Sequence, residues 1–116
     1  MTIGKFSEIT GVCCSALRYY ENKGLIRVKR DAANRRDYSE SDIEWIKFLQ
    51  KLKNTGMSLK DMKRYSDLRY KGSLTIAERL ELLQKHRLYV NEQLKKWLEY
   101  SKNLDDKIEW YRNNLP

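Results

Sequence analysis

The stretch SALRYYENKGLIRVKRDAANRRDYS, residues 15–39, decides how the rest of this 116-residue chain is read. Its opening fits the end of a short helix running from about Cys14 to Asn22, with Leu17 and Tyr20 turned inward and Tyr19 outward. Gly24 breaks that pattern. LIRVK (Leu25–Lys29) then alternates apolar and basic residues, which predicts a strand. RDAAN makes a polar turn in which Asn34 tolerates a left-handed backbone, and RRDYS (Arg35–Ser39) returns as a second strand. Between Lys23 and Arg36 six basic side chains face one acid, Asp31. So much charge around a turn calls for a polyanionic partner.

Upstream, Thr2 can cap a helix through about Ile9, with Ile3, Phe6 and Ile9 on one face, and Gly11 ends it. Two short amphipathic helices joined by a glycine-containing turn form a helix-turn-helix, about residues 3–22, and the arginine-rich ribbon of about 26–38 reads as a wing. Downstream, Ser39 or Ser41 caps a third helix with Ile43, Ile46, Leu49 and Leu52 as its buried stripe, stopped by Gly56. Ser58 caps a fourth, with Asp61 as a capping acid and Leu59, Met62 and Tyr65 inward. Gly72 closes the region.

From Thr75 to about Asn113 no breaker occurs. Ile76, Leu80, Leu83, Val90, Leu94, Trp97, Leu104, Ile108 and Tyr111 follow alternating steps of four and three, interrupted only at Arg87 and Ser101. Such a seam predicts a coiled coil. At ~1.5 Å per residue the helix would reach close to 60 Å, more than a small domain can cover, so a second copy is expected along it. The alternative is a helix packed on its own domain. The expected fold is therefore dominated by α-helix with a small β-wing: a winged helix-turn-helix over 1–70 and a dimerisation helix over 71–116.

Composition narrows the function. The net charge is +8, and residues 1–70 hold 15 basic and 9 acidic side chains against 9 and 7 in residues 71–116. The excess lies in the first segment, which favours nucleic acid. No apolar run approaches the ~20 residues of a membrane helix, and no signal-peptide pattern is present, so a cytoplasmic protein without a membrane partner is expected. One histidine, His86, and two adjacent cysteines leave no constellation for acid–base or nucleophilic catalysis. Neither a structural metal site nor a cofactor is expected, and the Asp105–Asp106 pair reads as a solvated helix face.

On the second helix Ser15, Arg18 and Asn22 share one face. Arg18 can reach a guanine edge or a phosphate, and the Tyr19 hydroxyl a phosphate. Lys29, Arg30, Arg35 and Arg36 would bring the wing to the flanking backbone or minor groove, which makes binding steeply salt-dependent. Cys13 and Cys14 begin this helix. They are either a weak cap and a small core filler, or a reactive pair whose oxidation or alkylation would block groove entry. Trp45, Trp97 and Trp110 are explained by packing, while Tyr65, Tyr70 and Tyr89 could line a small cleft.

TIGKFSEITGVCCSALRYYENKGLI, the later RRDYSESDIEWIKFLQKLKNTGMSLKDM and the terminal heptads together resemble the MerR family of bacterial transcription regulators, over the whole chain. The resemblance implies a winged helix-turn-helix, an antiparallel coiled-coil homodimer and a near-palindromic operator in an overlong promoter spacer. It also implies DNA distortion that lets RNA polymerase engage both promoter boxes or holds it unproductive. It assigns Ser15, Arg18 and Tyr19 to the recognition helix, Arg35, Arg36 and Tyr38 to the wing, and Lys60 to the start of a helix that braces a phosphate. The family's metal sensors carry cysteines at and beyond the start of the coiled coil, and this chain has none after Cys14. A large ligand domain, as in drug sensors, is not expected either. The short form is most similar to a branch associated with aldehyde and electrophile stress, whose third-helix cysteine is replaced here by FLQKLKNTG, with Lys51 and Leu52. The effector is left open, as is the sign of regulation.

Two other functions fit parts of the pattern. An architectural or excisionase-like module would bend DNA without regulating a promoter, but would have no use for the long helix. A coiled-coil adaptor whose basic patch binds acidic protein or membrane would show no preference for any duplex.

Overall fold

The structure is a computed structural model describing residues 1–116. Five α-helices and a two-stranded ribbon follow one another as α1 (Ile3–Thr10), α2 (Cys14–Asn22), β1 (Lys29–Arg30), β2 (Arg36–Asp37), α3 (Glu40–Asn54), α4 (Leu59–Lys71), a 3-10 turn (Ser73–Thr75) and α5 (Ile76–Asn113). They form two compact units, Met1–Leu80 and Glu81–Pro116. The boundary falls beyond the expected one at residue 70. The Thr75 hydroxyl donates to the carbonyls of Leu68 and Gly72, the latter at 2.9 Å, and so fastens the 3-10 turn to α4.

Local chemistry sets the ends of the helices in the first unit. The Thr2 hydroxyl accepts from the Lys5 amide, and Gly11 leaves α1 in the left-handed region at φ +73°. Ser39, rather than Ser41, caps α3, and its reciprocal bonds with Asp42 complete a capping box. Ser58 accepts from the Asp61 amide at the start of α4.

Phe6, Leu17, Tyr20, Leu25, Ile26, Tyr38, Trp45, Ile46, Leu49, Leu52, Met57, Met62, Tyr65 and Leu68 form the core. Two residues expected on inward faces are not part of it: Ile9 is 43% exposed and Leu59 40%. Ile9 lies in the last turn of α1 and Leu59 in the first turn of α4.

The largest departure from the sequence reading is at residues 25–28. Leu25 and Ile26 are fully buried but belong to no strand; the ribbon pairs only Lys29 with Asp37 and Arg30 with Arg36. The Leu25 amide donates back to the Tyr20 carbonyl at 2.9 Å, and side chains take other backbone groups of the segment. The Leu25 carbonyl accepts from the Trp45 indole and the Ser66 hydroxyl, both at 2.8 Å, and the Arg27 amide donates to the Tyr70 hydroxyl at 2.9 Å. Gly24 enters this segment at φ +73°, and a Cβ there would lie 2.8 Å from the Lys63 ammonium. Likewise the return strand shrinks to Arg36–Asp37, because Tyr38 donates its amide to the Met1 carbonyl and Ser39 turns to capping.

In the second unit, α5 is an uninterrupted helix whose residues are exposed or half-buried throughout. Leu94 is 57% exposed, Trp97 68% and Leu104 66%, and Ile108 is also open; Leu83 and Val90 are half-buried. Ile76 and Leu80, on the first unit's side of the boundary, are exposed as well. The apolar seam predicted from periodicity thus has no partner within the chain along most of its length.

Candidate nucleic-acid interface

α2 carries two adjacent tyrosines whose rings meet edge-on at 5.9 Å, one turned to the core and the other to the surface. Tyr20 is 4% exposed, and its hydroxyl accepts from Gln50 Nε2 at 2.8 Å; Tyr19 is 47% exposed, with the Lys23 ammonium 5.7 Å from its ring centre. Ser15 and Arg18 are exposed beside Tyr19, and no carboxylate pairs with Arg18. Asn22 is exposed near the end of the same helix. Leu17 and Tyr20 anchor the helix from behind, so its outer face is a rigid polar surface carrying one free guanidinium.

The wing is organised by two carboxylates. Asp31 closes the turn: its Oδ1 accepts from the amides of Ala33 and Arg35, each at 2.9 Å, and its Oδ2 from Arg35 Nε at 3.2 Å. These bonds, the Arg35 amide first and the Arg35 charge after it, hold the Asp31 carboxyl below the usual carboxylate range. Asn34 takes the left-handed conformation at φ 58°, as its place in the turn requires. Glu21, on the last turn of α2, accepts from Arg30 Nη2 at 2.8 Å with one oxygen and from Arg36 Nε at 3.0 Å with the other. One carboxylate therefore ties both strands to the helix beside them. Sequence reasoning counted Arg30 and Arg36 as cations and passed over Glu21. The signal was an acid next to the tyrosine pair, just ahead of a basic run.

Tyr38 does not belong to this surface. It is 2% exposed and stacks on Phe6, and its hydroxyl is buried without a hydrogen-bond partner. Burial, and then the nearby Glu21 carboxylate, pushes that hydroxyl above its ordinary pKa. The assignment of Tyr38 to DNA contact is corrected: it is a core residue at the base of the wing. Its aromatic ring packs on Phe6 of α1, just beyond the end of β2.

The remaining sequence-derived sites fall as follows. Lys29 is exposed on β1, and Lys60 is exposed in the first turn of α4. Cys13 is exposed at the cap position of α2. The neighbouring Ser15 hydroxyl, 3.2 Å away, and then the Ala16 amide lower its thiol from the ordinary value. Cys14 is half-buried, its Sγ directed at the Ile3 carbonyl. Tyr65 stacks on Trp45 with ring centres 5.7 Å apart, while Tyr70 takes the Arg27 amide and lies under the Arg27 guanidinium; the Arg69 guanidinium lies over both Trp45 and Tyr70. No helix is long and apolar enough to cross a membrane.

Comparison with known proteins gives this geometry its context. The family model described as MerR HTH family regulatory protein matches residues 1–68, and that described as MerR, DNA binding matches residues 43–106. An uncharacterized HTH-type transcriptional regulator of Haemophilus influenzae is 38% identical over 112 residues, covering 96% of this chain and 83% of that protein. Among solved structures, a transcriptional regulator from Listeria monocytogenes assigned to the MerR family superposes with a TM-score of 0.92 at 31% identity, over 98% of this chain and 87% of that one. HiNmlR, a MerR family regulator lacking the sensor domain and bound to promoter DNA, superposes with a TM-score of 0.83 at 37% identity, over 97% and 90%.

Proposed function

Because this chain belongs to the MerR family of helix-turn-helix regulatory proteins, and so is a DNA-binding transcription regulator and not an enzyme, we propose that it acts as a homodimer on an inverted-repeat operator in a promoter spacer. The observation that carries this reading is the outer face of α2, where Ser15, Arg18 and Tyr19 are exposed on a helix anchored by Leu17 and Tyr20. Such a helix enters the major groove, with Arg18 reading a base edge or gripping a phosphate. Lys29, Arg30, Arg35 and Arg36 on the wing and Lys60 on α4 reach the phosphates on either side.

Two heads joined along the α5 seam would bind successive half-sites, and contacts at both would offset the energy of distorting the DNA between them. The seam, Ile76, Leu80, Leu83, Val90, Leu94, Trp97, Leu104 and Ile108, would be covered by the antiparallel α5 of a second copy. RNA polymerase then meets a spacer whose geometry the regulator controls. The DNA-bound neighbour, which lacks a sensor domain, supports promoter DNA as the ligand.

Selection from random or genomic duplexes by the purified protein, followed by footprinting, tests the reading. One protected inverted repeat within a promoter spacer is the expected result. Protection without symmetry, or bending away from promoters, would favour the architectural alternative. Gel shifts before and after alkylation, with Cys13→Ser and Cys14→Ser as controls, test whether the exposed thiol at the cap of α2 also switches binding; unchanged affinity of the alkylated wild type would end that idea.

A further inference from the structure

We infer that Glu21 is a positioning residue for DNA binding: it orients Arg30 and Arg36 so that their remaining N–H groups meet the DNA backbone. This rests on the proposed function. Glu21 places an acid at the edge of a surface meant for a polyanion, where a bare charge argument finds only harm. Its two oxygens are both engaged, one by Arg30 Nη2 and one by Arg36 Nε. A guanidinium has five N–H donors in a rigid fork, so each arginine keeps four. Anchored through one atom, the fork is held in place before DNA arrives, and less side-chain freedom is lost on binding.

The two arginines are also not plain surface side chains. Arg36 is 28% exposed and Arg30 40%. With Arg35 and Thr2 they line an open cleft of about 400 Å³ between the start of α1 and the wing. Three guanidiniums outweigh the Asp31 carboxylate that also lines the cleft and pairs with Arg35, which leaves a positive concavity with N–H donors suited to a backbone phosphate. Only Arg30 and Arg36 are held from outside the wing, and Glu21 does the holding. The residue thus couples the element that reads bases to the one that grips the backbone.

The sign of one substitution tests this. Glu21→Gln removes a negative charge beside the DNA, so electrostatics alone predicts tighter binding to every duplex. A positioning role predicts that affinity falls about tenfold for the duplex selected by the wild type, on which base contacts from α2 seat the wing in one register and the oriented forks meet fixed phosphates, while affinity for a scrambled duplex, on which no register is fixed, holds or rises. Arg36→Lys, which keeps the charge but loses the fork, should show the same selective loss, and the double variant should lose less than the sum of the two single losses, since only the Arg30 contact remains for Glu21 to support. Circular dichroism melts confirm that each variant is folded; if Glu21→Gln is not, the selective loss in Arg36→Lys decides. Tighter binding of Glu21→Gln to both duplexes, or an additive double variant, would overturn the role. A wild type with no preference between the duplexes would instead overturn the proposed function, and this inference with it.

Discussion

Phe6 and Tyr38 stack with ring centres 4.2 Å apart and planes inclined by 15°. That contact joins the first helix to the returning strand of the wing, so the ribbon's orientation depends on a residue near the start of the chain. Tyr38→Phe preserves the stack and removes a buried hydroxyl that has no partner. Urea melts should find it unchanged or up to about 1 kcal/mol more stable, with DNA affinity unaltered. Phe6→Ala should cost about 3–5 kcal/mol. A loss of DNA affinity in folded Tyr38→Phe would return that hydroxyl to the binding surface.

The Leu25 carbonyl, bonded by both Trp45 and Ser66, holds the segment between α2 and the wing against α3 and α4. Ser66→Ala should cost about 1 kcal/mol. A double-mutant cycle with Trp45→Phe should give a coupling of about 0.5 kcal/mol or more, since either donor partly satisfies the oxygen alone. Strict additivity would mean that the two bonds are independent.

On the proposed interface, Arg18→Ala should reduce affinity for the selected duplex by about ten- to a hundredfold, the size of one lost bidentate contact. Lys60→Ala should weaken all duplexes alike and lower the salt slope by about one. Gel shifts across a salt series distinguish the two. Equal, sequence-blind losses would show that Arg18 touches only phosphate.

Leu94→Lys introduces a charge on an apolar seam that is open along the chain. Sedimentation should show a dimer for the wild type and a single subunit for this variant, while helicity of residues 1–80 persists. A wild-type monomer at micromolar concentration would remove the seam from the mechanism.

Asp31 fixes the pH response of the wing turn. Its folded pKa is depressed, so its contribution is fully present above the unfolded value of about 3.9 and is lost as pH falls through the folded one. Amide resonances of Ala33 and Arg35 should therefore hold from pH 8 to 5 and move only in stronger acid. In Asp31→Asn the acid transition should vanish. Movement near neutral pH would point to another group.

Helices were legible because each announces itself locally. Thr2, Ser39 and Ser58 have capping oxygens beside a periodic apolar face, and the α5 seam repeats often enough to define its register. The ribbon was less so. LIRVK alternates like a strand, but what Leu25 and Arg27 bond to is decided by Trp45, Ser66 and Tyr70, distant in sequence, and no local pattern carries that information. Arg18 and Tyr19 were readable as outward from helical phase alone. Tyr38 was not legible as core, because its place in an arginine-rich ribbon carries no sign of the stack on Phe6, 32 residues earlier, that buries it. Glu21 was missed because pairing is a three-dimensional fact, and a lone acid near a basic run looks like dilution.

A methyl group at position 24 would strain a backbone held in the left-handed region at φ +73°, and it would also meet the mobile end of Lys63. The contact would displace an ammonium that lies 2.6 Å from Asp67, a carboxylate shared with Arg27 at 3.7 Å. The smallest residue in the chain thereby guards an electrical arrangement as well as a turn: one added carbon would reach, through Lys63 and Asp67, the charge balance of Arg27, three residues away.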